Sequence, residues 1–327
     1  MTERATTGPL TADETSGAAG ALVPAGGPAA GGPGVGDDAR SLWSDAWKEL
    51  RRNPLFWVSA VLIVVFVLMA AVPQLFTQTD PYYADLSRSR EKPSGAAWFG
   101  MDTQGYDVFA RTIYGARSSI LVGILTTAAT LIFGSLVGII AGYVGGWLDS
   151  VLSRLSEVFF AIPLLLGGIL ILYSFPSGVD TPYIVVILKV VFALAVLGWP
   201  NLSRLMRSSV LQVKPNDYVS AARALGATPG RIILSHILPN SLAPVIVVST
   251  INLGAFIAAE ATLSFLGIGL QPPAISWGLA ISDASGIGLI RAAPHMLIFP
   301  SIFLSLTVLA FIMLGDAIRD ALDPKLR

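Results

Sequence analysis

The sequence predicts an all-α polytopic membrane protein with six transmembrane helices. Apolar residues (Ala, Val, Ile, Leu, Met, Phe, Trp, Tyr and Cys) make up 54% of its 327 residues and charged residues only 13%, about half the charged share of an ordinary globular protein. The mean hydropathy is +0.69. A soluble protein needs more charged residues than this to cover its surface. Soluble enzymes and soluble binding domains are therefore disfavoured as interpretations.

Uncharged apolar stretches of about 20 residues locate the spans. We assign them as helices because a helix satisfies its backbone polar groups internally where water is absent. Six stretches qualify, namely residues 55–76, 118–144, 158–173, 183–202, 240–259 and 294–314.

A seventh uncharged stretch, residues 261–282, competes with these six. It holds two consecutive prolines, Pro272 and Pro273, and several glycines. Such a sequence interrupts a helix. It predicts a non-helical or re-entrant segment rather than a span.

Three regions and an orientation follow from composition. Residues 1–40 are rich in Gly, Ala and Pro without an apolar period, which predicts a disordered cytoplasmic tail. Residues 41–112 hold the first span and an outer loop, and residues 113–327 hold the other spans. Most Lys and Arg residues near span ends fall inside if both termini are cytoplasmic, so the positive-inside rule predicts that orientation.

Composition also bears on the kinds of site the chain can hold. Basic and acidic residues balance at 21 each, so no net charge attracts nucleic acid. The chain has no Cys, which excludes disulfides and thiolate catalysis. Its two histidines, His236 and His295, are predicted to be satisfied polar groups rather than ligands. No phosphate-binding G-x-x-x-x-G-K-[ST] motif occurs, and no cofactor or catalytic residue is expected.

The predicted inner loop between the fourth and fifth spans has the pattern of two helices joined by a glycine. Asn216 or Asp217 can cap a short helix over 218–225, and Gly226 follows where a left-handed residue is expected. Thr228 then caps a helix that leads into the fifth span. Such a unit could be a lever that takes force from a soluble partner. An ordinary amphipathic connector on the membrane surface is the alternative.

The same loop resembles the EAA loop of ABC importer permeases. The resemblance lies in Ser220-Ala221-Ala222, in Gly226 and in the Ile-Leu-Pro of residues 237–239. The loop departs from the family pattern at Ser220, where Glu is usual, and at His236, where Ile is usual.

Three more segments resemble the C-type permease subunit of the oligopeptide/dipeptide branch, so that the resemblance covers about residues 41–327. Met101 and Tyr106 depart from the pattern of the first segment, where Thr and Arg are usual. The segments are FGMDTQGYDVFAR with IYGAR (99–111 and 113–117), EATLSFLGIGLQPPAISWG (260–278) and LGDAIRDALDPKL (314–326).

The resemblance implies a MetI-like type I ABC permease fold, with residues 113–327 as the permease domain, in a bacterial cytoplasmic membrane. It implies import of di- or oligopeptides by alternating access, in a heterodimer with a second permease subunit, two ATP-binding subunits and an extracytoplasmic peptide-binding protein. It also implies that the inner loop docks on the ATPase through Asp217, Tyr218, Ser220, Ala221, Ala222, Arg223 and Gly226.

Two alternatives stay open. The same architecture serves nickel and glutathione importers. A self-sufficient secondary transporter belongs to another class. It is disfavoured because the sequence shows no internal repeat and no acidic residue inside a predicted span.

Four residues near the predicted outer side are candidates for the pathway or for outer-loop contacts. Lys189, in the fourth span, either lines the pathway or extends to the interface. Glu260 could contact substrate, pair with a base such as Arg291, or mark the interface. Gln271 and Trp277 lie in the segment that follows Glu260.

Two further patterns have a structural and a functional interpretation. Gly134, Gly138, Gly142 and Gly146 recur every four residues, which allows close helix contact either with a partner permease or within the chain. Arg154 and Glu157 are spaced for a local helix ion pair.

Overall fold

The computed structural model describes residues 47–178 and 180–322. The predicted disordered tail, residues 1–40, lies outside these residues, and so do residues 323–326 of the last family segment. In chain order the helices are α1 (Pro54–Ala71), α2 (Val108–Val144), α3 (Gly146–Phe160), α4 (Leu164–Ser174), α5 (Tyr183–Val213), α6 (Asp217–Ala224), α7 (Pro229–Phe265), α8 (Trp277–Ala284), α9 (Ile287–Ala292) and α10 (His295–Leu322).

Helices dominate the part of the chain that the structure describes. Five of them, α1, α2, α5, α7 and α10, are long and apolar enough to cross a membrane, and the bent pair α3–α4 raises the number to six if it counts as one span. β-Pairing among these residues is confined to isolated bridges in the loop over 72–107. The predicted all-α fold is confirmed, and the five to six candidate spans agree with the six that were predicted if the bent pair counts as one span.

The third span is not the continuous helix predicted over residues 158–173. α3 ends at Phe160, Pro163 precedes α4, and the two helices meet at an angle of 84°. The residue before a proline is disfavoured in helical conformation, so the proline interrupts the helix here. α4 has 11 residues and is therefore only about 16 Å long. The prediction was wrong because an apolar run does not show where its helix bends.

Four of the other spans, α2, α5, α7 and α10, extend beyond their apolar runs, whereas α1 ends at Ala71, before the predicted 76. α2 begins ten residues earlier than the predicted 118, because the Asp107 carboxylate caps it by accepting the amide protons of Phe109 and Ala110. α5 and α10 continue past the predicted ends into charged residues. Hydropathy thus locates the apolar part of a helix, whereas capping sets where the helix ends.

α7 and α2, with 37 residues each, are the longest helices among the residues that the structure describes. α7 contains a π turn over Ile233–Ile237 just before Pro239, which has no amide proton to donate. The Asn240 side chain donates to the carbonyl oxygen of His236 at 2.6 Å and so satisfies a group near this irregularity. With 37 residues, the helix is about 55 Å long.

The segment over 261–282 forms no helix long enough to cross a membrane, in agreement with the prediction. It is not wholly non-helical, because its first five residues continue α7 and its last six belong to α8. α7 ends at Gly267 (φ +77°) in a Schellman motif, in which the Ile268 amide donates to the carbonyl of Leu263 at 3.1 Å. The chain then turns and re-enters the bundle as α8.

The glycine stripe of α2 packs within the chain. A Cβ added at Gly134 would lie 2.8 Å from the Trp199 carbonyl oxygen, and one added at Gly138 would lie 2.5 Å from the Ser203 carbonyl oxygen. Gly142 likewise faces α5, whereas Gly146 faces open space. The first three glycines therefore let the backbones of α2 and α5 touch, and the hypothesis that they contact a partner permease is wrong.

Charged contacts tie α5 to its neighbours at the predicted inner end. The Arg207 guanidinium donates to both carboxylate oxygens of Asp149 in α3, at 2.6 and 2.7 Å. Lys214 donates to the carbonyl oxygen of Tyr143 at the end of α2, at 2.7 Å, where a cation also complements the helix dipole. The predicted local pair between Arg154 and Glu157 is confirmed at 2.8 Å.

The Asp149–Arg207 and Arg154–Glu157 ion pairs should contribute differently to the free energy of unfolding. Asp149→Ala should lower the free energy of unfolding by about 2 kcal/mol, because the partly buried Arg207 loses two charge-assisted hydrogen bonds. Glu157→Ala should cost at most about 0.5 kcal/mol, because the side chains of its pair are 58% and 83% exposed. Thermal unfolding of the purified protein in detergent measures both, and equal shifts would contradict the assignment.

Candidate functional site

The candidate docking element, α6, is a short helix whose beginning differs from the prediction. Asn216 is extended and its side chain does not cap the helix; its amide donates to the Tyr218 hydroxyl at 3.2 Å instead. The backbone carbonyl of Asn216 accepts the amide protons of Val219 and Ser220. α6 therefore begins at Asp217 through backbone bonds.

The end of α6 agrees with the prediction of a left-handed glycine. Gly226 has φ +80°, and its amide donates to the carbonyl of Arg223 at 3.0 Å. The Ala227 amide donates to the carbonyl of Ala222, also at 3.0 Å. These two bonds define a Schellman motif, which fixes the angle at which α6 leaves the chain. α7 begins at Pro229, two residues after Ala227.

One face of α6 is anchored to the bundle. Val219 is fully buried in an apolar cluster between α5 and α7 that includes Met206, Val210, Ile232 and Ile237. Burial of a side chain of this size typically contributes about 1.5–3 kcal/mol. A single buried residue thus connects α6 to both helices.

The remaining face of α6 is open. Of the predicted docking residues, Ala222 is half-buried, and the others, Asp217, Tyr218, Ser220, Ala221, Arg223 and Gly226, are exposed. Leu225, at the end of the helix, is 88% exposed. Neither Val219, the anchor, nor Leu225, an exposed apolar residue, was predicted from the sequence as part of this site. The signal for both was their residue type, because they are the only large aliphatic residues between Asp217 and Gly226.

The pathway candidates fall into two groups, and Lys189 and Gln271 form the first. Both line an open cavity of about 560 Å³ between α4, the start of α5 and the turn after α7. The Lys189 ammonium donates to the carbonyl oxygen of Pro176 at 2.9 Å and to the Ser177 hydroxyl at 3.3 Å. The Gln271 amide donates to the carbonyl of Gly267 at 2.8 Å.

Glu260 and Trp277 are buried in the core and do not line this cavity. Trp277 is fully buried and donates to the carbonyl of Thr112 at 2.9 Å. Glu260 lies inside α7, fully buried, and accepts a hydrogen bond from Ser264 at 2.7 Å. Among the residues described, it forms no ion pair, so pairing with Arg291 was wrong. The expectation of spans without acidic residues was wrong too.

The Ser264 hydroxyl links Glu260 to the turn that follows α7. It donates to the Glu260 carboxylate and accepts the amide proton of Leu270 at 3.0 Å. The turn over 266–276, which carries Gln271, is thereby bonded to the interior of α7.

The loop over 72–107 is built around carboxylates and backbone contacts. Asp102 accepts the backbone amide proton of Tyr106 at 2.9 Å and pairs with Arg111 at 3.3 Å. Tyr106, a departure from the family pattern, places its ring 4.6 Å from the Arg111 guanidinium. His295 donates to the carbonyl of Met101 at 3.0 Å, so it is a satisfied polar group as predicted.

Ion pairing also orders the surface of this loop. Arg88 donates to Glu91 at 2.6 Å, and this hydrogen bond lowers the pKa of the Glu91 carboxyl below its usual value. Within residues 47–178 and 180–322, no three His, Asp or Glu side chains are grouped so that they could hold a metal ion.

Comparison with known proteins identifies the family. The family described as "Binding-protein-dependent transport system inner membrane component" matches residues 134–327. The family described as "N-terminal TM domain of oligopeptide transport permease C" matches residues 41–93.

Curated relatives and a solved structure agree with these matches. A dipeptide transport system permease protein DppC from Alkalihalophilus pseudofirmus is 39% identical over 88% of this chain and 92% of its own length. A glutathione transport system permease protein GsiD from Pectobacterium atrosepticum is 36% identical over 88% and 93%. A chain of the inward-facing MetNI methionine ABC transporter shares the fold, with a TM-score of 0.52 and 19% identity over 65% of this chain and 96% of that one. The chain therefore belongs to the family of inner membrane components of binding-protein-dependent transport systems, as a multi-pass ABC importer permease of the DppC/OppC-like branch in a bacterial inner membrane.

Proposed function

We propose that this chain is one of two permease subunits through which an ABC importer carries di- or oligopeptides. A second permease forms the heterodimer, two ATP-binding subunits supply the energy, and an extracytoplasmic binding protein delivers the peptide. The absence of a P-loop motif in the sequence supports a separate site for ATP. The peptide substrate is supported by the dipeptide permease relative.

The observation that carries the proposal is the continuity of α7. Its first turn follows the Schellman motif at Gly226, and its last turn leads into the segment of Gly267 and Gln271 that lines the 560 Å³ cavity. A movement of α6 is thus connected by one helix to the wall of a cavity about 55 Å away.

The mechanism that fits this connection is alternating access. ATP-binding subunits that close on ATP displace α6 through its exposed face, and Val219 and the Gly226 motif carry the displacement into α7. The cavity at the opposite end changes shape with it, so that peptide is accepted from one side and released to the other. The nucleotide must favour one conformation through contacts that differ between the two states. We assign both termini to the cytoplasm, which places α6 on the side of the ATPase.

Docking on α6 can be tested by substitution. Ala222→Glu should prevent co-purification of the ATP-binding subunits with the permease, because a charge replaces a half-buried methyl group on the docking helix. Ser220→Glu adds the same charge two residues away, at an exposed position where the family usually has Glu, and should leave co-purification intact. Loss of the ATP-binding subunits in both variants, or in neither, would contradict the proposed docking surface.

Glutathione is a second candidate substrate, because the glutathione permease relative is only three percentage points less identical, 36% against 39%. A competition experiment distinguishes a dipeptide substrate from glutathione. In vesicles holding the complete importer, an excess of unlabelled dipeptide should suppress uptake of a labelled dipeptide, and an excess of glutathione should not. The reverse pattern would assign glutathione. Accumulation by vesicles holding this chain alone, without nucleotide, would instead indicate a secondary transporter.

A further inference from the structure

We propose that Lys189 binds the C-terminal carboxylate of the transported peptide. The inference rests on the proposed peptide import and names the substrate group that the cavity at the predicted outer end recognises. Lys189 is the only charged residue among the described residues that line this cavity.

The hydrogen bonds of Lys189 leave its charge available. Its two acceptors, the Pro176 carbonyl and the Ser177 hydroxyl, are both neutral. An ammonium group has three donors, so one remains for a ligand. Within the part of the chain that the structure describes, no carboxylate pairs with Lys189.

Lys189 also lies where a polar and an apolar cavity adjoin. The 560 Å³ cavity has a partly polar wall that includes Ser177 and Gln271. A neighbouring cavity of about 330 Å³ is lined by apolar side chains, Phe192 among them, and shares Lys189. Both volumes fall in the range of about 300–1,000 Å³ typical of small-molecule sites.

This arrangement fits the end of a peptide. The carboxylate accepts from the ammonium, the peptide bonds meet the polar wall, and an apolar C-terminal side chain enters the smaller cavity. A charge-assisted hydrogen bond is about twice as strong as a neutral one. A membrane lipid with an anionic headgroup is the competing occupant. It fits less well, because the polar wall, which includes Ser177 and Gln271, offers both donors and acceptors, as peptide bonds do, whereas a phosphate offers only acceptors.

The test uses the complete importer in vesicles, with the binding protein unchanged and saturated with peptide. The maximal rate of ATP-driven uptake of Ala-Ala-Phe should fall about tenfold in Lys189→Met, the loss expected for one charged hydrogen bond. Lys189→Arg, which keeps the charge, should retain most of the rate. In Lys189→Met, the ratio of the uptake rate of Ala-Ala-Phe to that of its C-terminal amide should fall towards one. The matched control is Lys92→Met, which removes an exposed cation from the loop over 72–107 and should leave the rate unchanged.

Chemical rescue separates a lost charge from a damaged fold. The chain has no Cys, so Lys189→Cys introduces its only thiol. Modification with 2-aminoethyl methanethiosulfonate, which attaches an ammonium group, should restore uptake, and uncharged methyl methanethiosulfonate should not. The unsubstituted chain, treated identically, reports any effect on the other subunits.

The outcomes distinguish this inference from the proposed function. Wild-type uptake of Ala-Ala-Phe that Lys189→Met leaves unchanged overturns the role of Lys189 alone. Rescue by the uncharged reagent also overturns the role of Lys189. Equal uptake of Ala-Ala-Phe and its C-terminal amide by the wild type overturns it too, and is the result expected if a lipid occupies the cavity. A wild-type importer that takes up no peptide overturns both.

Discussion

A Gly226→Pro permease should insert into the membrane at a normal level and import no peptide. Proline fixes φ near −65°, whereas Gly226 has φ +80°. Proline also lacks the amide proton that Gly226 donates to Arg223. Both changes break the Schellman motif, so α6 cannot keep its angle to α7. No side chain packs near Gly226, and the bundle itself should therefore be preserved.

Uptake by the reconstituted importer, compared with the amount of protein in the membrane, measures this effect. Gly230→Ala is the matched control, because Gly230 is also exposed and has open space around it but lacks a positive φ; it should import normally. Gly226→Ala should be intermediate, since a left-handed alanine costs about 1–2 kcal/mol. Normal uptake by Gly226→Pro would show that α6 does not act through this motif.

Gly138→Leu should prevent stable assembly of the bundle. A Cβ at this position would already lie 2.5 Å from the Ser203 carbonyl oxygen and 2.8 Å from the Met206 Cβ. The Ser203 carbonyl oxygen belongs to the backbone of α5, and the Met206 Cβ is bonded directly to it. Because neither atom can move away by rotation of a side chain, the two helices must separate. Overpacking of a core typically costs about 1–3 kcal/mol, and we expect a loss at or above that range.

Thermal unfolding in detergent should show this loss as a fall in Tm of about 10 °C or as aggregated protein. Alanine substitutions at two different glycines provide the control. Gly138→Ala should still destabilise the protein, whereas Gly168→Ala should not, because a Cβ at Gly168 would lie 3.4 Å from the nearest atom, a methyl group of Leu263. Equal melting temperatures for the two alanine variants would contradict the close contact between α2 and α5.

The general architecture was predictable because it depends on properties that are local in sequence. Runs of apolar residues identified the spans, and Gly226 was identified as a left-handed residue because few other residue types adopt that conformation. The proline pair in the segment over 261–282 excluded a seventh span. Each of these conclusions needs only a few neighbouring residues.

Features that depend on distant residues were not predictable in the same way. Asp149 pairs with Arg207, 58 positions away, and the sequence suggested only the local pair of Arg154 and Glu157. Trp277 bonds a carbonyl in α2, so a residue placed near the pathway proved to belong to the core. The 84° bend between α3 and α4 was missed although Pro163 lies inside the predicted span, because a proline does not always break a helix. Other prolines lie within helices of this chain, namely Pro200, Pro244 and Pro300.

The π turn in α7 also affects the kind of motion that the helix can transmit. A π turn holds one residue more than an α-helical turn, and one residue corresponds to a rotation of about 100° about the helix axis. If the extra residue were absorbed into regular helix, everything beyond Leu238 would turn relative to Pro229 without a change in tilt. Under the proposed mechanism, a displacement of α6 would therefore rotate the part of α7 beyond the π turn about its axis as well as move it.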